Sequence, residues 1–145
     1  MATFIENHDN RRFLNQYNNI AQFTNSIFFT LLWEGIPVHY YGGEQYYSGG
    51  GDQANREALW NNYNTDSELY KILGKVNNLR KKVNIWNYEV DQRYCVIHFY
   101  AFTRGNVLAS FVNNNGGNYV ISFHDFNNGD KLFNNLKSLF SKYEE

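Results

Sequence analysis

The hydrophobic texture of the chain changes at Val83, and that change constrains the fold more than any other feature. Thr3 to Ile5 reads as a short strand that ends at the polar cluster Glu6-Asn7-His8-Asp9-Asn10. Ile20 to Trp33 is mostly apolar and too long for one strand, so it reads as a largely buried helix. Gly35 is placed for a C-cap and Pro37 is a stop signal two residues on. Ile36 to Tyr41 is then a short apolar run bounded by glycine, which predicts a buried strand. Gly42 to Gly51 is a Gly-rich loop, and Thr65-Asp66-Ser67-Glu68 has the form of a capping box. The helix behind it places Leu69, Leu73, Val76, Leu79 and Val83 on one face.

Residues 1–83 therefore read strand, polar loop, helix, strand, Gly-rich loop, helix. That order argues for parallel strands joined by helical crossovers. Two such strands cannot cover both faces of a parallel sheet, so the pattern predicts part of a larger structure. Residues 84–145 read differently. Tyr94 to Thr103 and Val107 to Asn113 flank Arg104-Gly105-Asn106 as a β-hairpin. Asn113 to Asn118 is a second turn, Tyr119 to Phe123 a third strand, and Asp130 to Tyr143 a helix with Leu132, Leu136, Leu139 and Tyr143 on one face. An antiparallel β-rich module after a βα-repeating one is the expected organisation. The many asparagines favour turns throughout.

Composition excludes several function classes. The formal net charge is −1, with basic and acidic residues balanced on both sides of Val83. That leaves no basic footprint for nucleic acid and no polybasic strip for a membrane surface. Arg80-Lys81-Lys82 is the one basic run, at the end of a predicted helix where cations suit the dipole. The apolar run Ile27 to Trp33 is too short to span a bilayer. Met1 to Glu6 shows no basic n-region and no apolar h-region, so no signal peptide is expected. Cys95 is the lone cysteine and lies in an apolar run, which predicts a buried, inert thiol. Aromatics make up 19% of the chain, a share that suits stacking on flat ligand faces as well as core packing.

Two constellations carry candidate chemistry. His8 and Asp9 sit at the C-terminal end of a predicted parallel strand, where functional groups of such sheets gather. Together they can bind a ligand hydroxyl as donor and as acceptor; an Asp capping a helix beside a solvated His is the plainer alternative. Asp52 and Arg56, four apart after the second strand, come together if the chain turns helically there. Such a pair suits vicinal hydroxyls, and it is equally a local salt bridge. The Gly-rich loop matches no phosphate-binding pattern, and Tyr46-Tyr47-Ser48-Gly49-Gly50 is no nucleophile elbow, because Tyr46 stands where glycine is required. His39, His98 and His124 lie scattered in apolar strands and read as structural histidines.

In order and spacing these segments resemble the fungal-type α-amylases. Phe4-Ile5-Glu6-Asn7-His8-Asp9-Asn10 is similar to that family's fourth signature segment. Gly35 to Gln45 looks like its eighth barrel strand and the turn after it. Gly50-Gly51-Asp52-Gln53-Ala54-Asn55-Arg56-Glu57-Ala58-Leu59-Trp60 looks like a loop that closes over its site, and Asp66 to Lys71 like the start of its last barrel helix. The resemblance is good from Thr3 to Lys82 and fades beyond. It implies an α/β fold: the last two βα units of a (β/α)8 barrel in residues 1–83, then a partial antiparallel β domain in residues 84–145. It implies retaining hydrolysis of internal α-1,4-glucosidic bonds in starch-like glucans. Asp9 matches the carboxylate that stabilises the transition state. His8 matches a neighbouring sugar contact, and Asp52 and Arg56 match a pair on the non-reducing side of the cleaved bond.

The departures are as informative. The family's nucleophilic Asp, its general-acid Glu, its calcium ligands and its secretion signal belong to segments before residue 1. We therefore expect a fragment of an extracellular enzyme that is inactive alone, with no cofactor of its own. Its partners would be an α-glucan or maltooligosaccharide and the missing N-terminal barrel portion. A non-catalytic glucan-binding protein, or one half of a split amylase, are the alternatives.

Overall fold

The computed structural model describes residues 1–96, 99–112 and 124–125, and the chain divides into two compact units, Met1–Lys82 and Val83–Glu145. The first unit begins with β1 (Ala2–Thr3), α1 (Phe13–Tyr17) and α2 (Ile20–Leu32), followed by β2 (Ile36–Pro37) and α3 (Glu68–Val83). β1 and β2 pair in parallel, with Ala2 opposite Ile36 and Thr3 opposite Pro37. Both strands are shorter than the runs Thr3–Ile5 and Ile36–Tyr41 predict. The ladder closes after Val38 N donates to Thr3 O at 2.8 Å.

A helix of thirteen residues is marginal by itself, so α2 depends on what it buries. Phe23, Ile27, Phe28, Leu31 and Leu32 are buried, each worth about 1.5–3 kcal/mol relative to exposure. Asn19 caps its start by accepting from Gln22 N at 3.0 Å. Its end is Trp33, stacked on Phe29 with centroids 5.0 Å apart. Gly35 is thus not the cap. It sits at φ +99°, beyond the cap, and a Cβ there would lie 2.7 Å from Met1 O. That close approach is imposed by the bond from Ile36 N to Met1 O that opens the ladder.

α3 buries Leu69, Leu73 and Val76 and carries Arg80, Lys81 and Lys82 in its last turn; Leu79 and Val83 are half-buried. The capping box does not form. Thr65 and Asp66 lie in a turn held by Asn64, whose Oδ1 accepts from Asp66 N at 2.8 Å. The helix starts at Glu68 behind Ser67, whose hydroxyl donates to Glu44 O at 2.7 Å.

The second unit is an antiparallel sheet in the order β3 (Val90–Val96), β4 (Phe99–Arg104), β5 (Val107–Val112), β6 (His124–Asp125). The predicted strand Tyr94–Thr103 is two strands: Tyr94 to Val96 belong to β3, and the hairpin at Gly105 joins β4 to β5. Phe102 and Phe111 stack at 5.8 Å over a core with Ala101, Val107, Leu108 and Ala109. Cys95 is exposed, contrary to the apolar run around it. Among the described residues β3 is an edge strand, its register shifts between Gln92 and Tyr94, and none of Val90 to Cys95 is buried. His98, the turn Asn113–Asn118, the strand Tyr119–Phe123 and the helix Asp130–Tyr143 lie outside the described residues. No described helix is long and apolar enough to cross a membrane.

Candidate functional site

Glu6 is the last buried residue before the loop that follows β1. Asn7 then organises that loop locally: its Oδ1 accepts from Asp9 N at 3.0 Å, Asn10 N at 3.0 Å and Asn10 Nδ2 at 2.9 Å. Such an Asx turn needs only one short amide side chain. It presents His8 and Asp9 outward, 61% and 69% exposed, with His8 Nε2 3.2 Å from Asp9 Oδ1.

Arg12 turns the other way. Its side chain is wholly buried between two carboxylates, with Nη1 3.2 Å from Glu6 Oε2 and Nε 3.1 Å from Glu57 Oε2. The guanidinium lies over the Tyr40 ring, 4.2 Å from the centroid, with Tyr41 and Tyr47 at 5.4 and 5.8 Å. The second oxygen of each carboxylate takes a backbone donor: Phe13 N to Glu6 Oε1 at 2.7 Å and Gly49 N to Glu57 Oε1 at 2.6 Å. Arg12 N donates to Gly49 O at 3.1 Å. A buried charge persists only when paired and hydrogen-bonded in this way.

The Gly-rich loop is therefore stitched to the His8–Asp9 loop. Asn55, also fully buried, donates from Nδ2 to His8 O at 2.8 Å and to Asn10 O at 2.7 Å. Gly49 admits the fold of this loop, since a Cβ there would stand 1.8 Å from Ala54 O. Asp52 and Arg56 flank Asn55 in a run of turns and pair at 2.9 Å, both exposed.

Burial pushes the Tyr40 hydroxyl above its ordinary pKa, with the hydrogen bond to Tyr41 adding to it, and burial does the same for Tyr47. Both phenols stay protonated and donate, Tyr40 to Asn55 O at 3.4 Å and Tyr47 to Ala58 O at 3.3 Å. His39 lies 3.2 Å from Glu44 Oε2, which requires the proton on Nε2. Burial opposes the Glu44 charge, but the His39 hydrogen bond, backbone donors and the His39 charge together hold its carboxyl below the ordinary value.

All four predicted site residues thus stand on two loops of one unit, as two exposed side-chain pairs. A carboxylate beside an imidazole, and a carboxylate beside a guanidinium, offer acceptors and donors to a polyhydroxylated ligand. Arg12, Glu6, Glu57 and Asn55, which hold these loops, carry no sequence signal of their own. Each is a single polar residue until the fold brings it to its partner. Among the described residues no three of His, Cys, Asp and Glu gather as metal ligands.

No family model matches the sequence. The chain is 39% identical to alpha-amylase 1 of Schwanniomyces occidentalis and 37% identical to the alpha-amylase of Saccharomycopsis fibuligera, each across 91% of this chain and 28% of the relative. It thus spans under a third of the length of these relatives. An α-amylase structure from Malbranchea cinnamomea superposes on 77% of this chain and 25% of its own, with a TM-score of 0.73 and 39% identity.

Proposed function

We propose that this chain, which belongs to the α-amylase family over the segment it spans, forms part of a glycoside hydrolase that cleaves internal α-1,4-glucosidic bonds of starch-like glucans. In this reading Met1–Lys82 supplies the last two βα units of a (β/α)8 barrel. Val83–Glu145 belongs to the antiparallel domain behind it, and the whole enzyme acts outside the cell. Retaining hydrolysis requires a nucleophilic carboxylate and a protonated acid on either side of the bond, and both fall to residues outside this chain. The calcium ion expected in such enzymes is, in this reading, held by residues outside this chain.

Asp9 carries the role of the third carboxylate. It accepts hydrogen bonds from sugar hydroxyls, and those strengthen as the ring flattens and gains positive charge, so the stabilisation is largest in the transition state. His8 donates to the same sugar. Arg56 donates to, and Asp52 accepts from, hydroxyls further along the glucan. The observation that carries this reading is the stitching of the two loops by Asn55, because it holds both exposed pairs on one support.

The test is made on the native polypeptide that bears these residues, purified at whatever length the cell produces. Asp9→Asn is expected to lower kcat by about 100-fold or more, the scale of losing one transition-state stabiliser, with the melting temperature unchanged. Arg56→Ala is expected to raise KM for maltooligosaccharides with kcat nearly kept, the mark of lost uniform binding. Undiminished turnover in Asp9→Asn would overturn the assignment. A native species near 17.1 kDa that binds maltooligosaccharides without hydrolysing them would support the glucan-binding alternative.

A further inference from the structure

We propose that Asn55 is a positioning residue for Asp9: its buried amide holds the backbone on both sides of Asp9 and so fixes where that carboxylate meets the substrate. The inference rests on the reading of Asp9 as a sugar-binding carboxylate.

The geometry is specific to one peptide plane. His8 O and Asp9 N belong to the same peptide group. The N–H end is held by Asn7 Oδ1 at 3.0 Å and the C=O end by Asn55 Nδ2 at 2.8 Å. A peptide gripped at both polar ends cannot rotate about its long axis without breaking a bond. The second hydrogen of the same amide reaches Asn10 O at 2.7 Å, past Asp9 on the other side. Two carbonyl acceptors dictate the amide's orientation, since only the NH₂ end donates.

The two asparagines divide the work. Asn7 is local, three residues or fewer from its partners, and makes the turn. Asn55 is 45 and 47 residues away from its partners and sets where the turn sits against the rest of the unit. Asn55 is itself wholly buried, and its own carbonyl accepts from Tyr40. Its side-chain Oδ1 is buried with no hydrogen-bond partner among the described residues. The unpaired oxygen costs about 1–3 kcal/mol, and every hydrogen bond this side chain makes runs through its donor end, to His8 O and Asn10 O.

The test compares Asn55→Ala and Asn55→Asp in the native polypeptide, each alone and combined with Asp9→Asn. A displacement near 1 Å of a group that acts in the transition state lowers kcat by up to about 100-fold. Both single variants are therefore expected to lose about 10-fold to 100-fold in kcat on a maltooligosaccharide, with KM changed by less than about 3-fold. In the Asp9→Asn background the same substitutions are expected to cost little more, because the group they position is already disabled. Equal losses in both backgrounds, or an effect on KM alone, would overturn the proposal. Wild-type kcat in Asp9→Asn would instead sink the underlying reading of Asp9. Asn55→Ser keeps one short donor and is expected to fall between wild type and Asn55→Ala. If none of the three variants reaches a folded state by circular dichroism, Asn55 is a fold element and the positioning role falls.

Discussion

Arg12 has given up all contact with water between two carboxylates: Nε is answered by Glu57 and Nη1 by Glu6, the guanidinium lies over Tyr40, and Nη2 has no hydrogen-bond partner among the described residues. Glu6, itself only 4% exposed at the side chain, depends on it in return. Arg12→Met would leave that carboxylate buried and unpaired. The expected loss is about 3–5 kcal/mol of unfolding free energy, read as a lower urea midpoint at unchanged slope. Arg12→Lys keeps the charge but not the planar fork that reaches Glu6 and Glu57 at once while lying over Tyr40, so most of the loss should remain. Glu44 makes a pH prediction at the same scale. Its carboxyl is held below the ordinary value of 4.5, so the folded state binds that proton less readily than the unfolded chain. Its contribution is complete above about pH 4.5 and is lost as the pH falls through the depressed folded value. Glu44→Gln should therefore flatten the acid limb of the stability curve and leave the pH dependence above 5 as in the wild type. An unchanged acid limb would remove Glu44 from the account.

At the scale of elements, the test lies at the start of α3. Ser67 precedes the first helical residue and its hydroxyl serves Glu44 O, so Ser67→Ala should cost about 1 kcal/mol. Thr65→Ala should stay within about 0.5 kcal/mol, and the reverse order in thermal melts would restore the capping box. Gly105 turns the β4–β5 hairpin at φ +58°, with Tyr88 so close that a Cβ would meet its ring at 2.7 Å. The same comparison explains what could be read from the chain. α2 and α3 were legible because their apolar spacing runs over several turns and both bury that face. α1 was not, because Phe13 to Tyr17 is five residues, too short for a helical period to show. The capping box failed because its letters also fit the Asn64 turn, and only Glu44, twenty-odd residues upstream, decides between them. The exposed pairs His8–Asp9 and Asp52–Arg56 were visible as neighbours in sequence. Their supports, Arg12 and Asn55, were not, since a lone buried Arg or Asn leaves no periodic trace.

For the whole molecule the decisive fact is the parallel pair β1–β2, which among the described residues has no third strand. Parallel sheets are covered on both faces and flanked by further strands. Here Phe4 is 51%, Ile36 70% and Val38 48% exposed. A shallow open pocket reaches Val38, lined by Ile5, Phe23, Ile27 and Leu31 together with the polar Glu6, Thr30 and His39. Apolar surface so concentrated marks a missing partner, and the relatives, of which this chain spans 28%, have the length to supply it. The 145-residue chain expressed alone is therefore expected to bind a polarity-sensitive naphthalene sulfonate dye, and Ile36→Lys with Phe4→Lys should reduce that fluorescence. In a polypeptide that supplies the missing strands the same two lysines should instead destabilise the fold by about 2–5 kcal/mol, since they would then replace buried side chains. The two results share one cause: the same side chains, wet in this chain alone and dry beside a covering partner. If the lysines are silent in both settings, these strand faces are true solvent faces and the proposal of a covering partner falls.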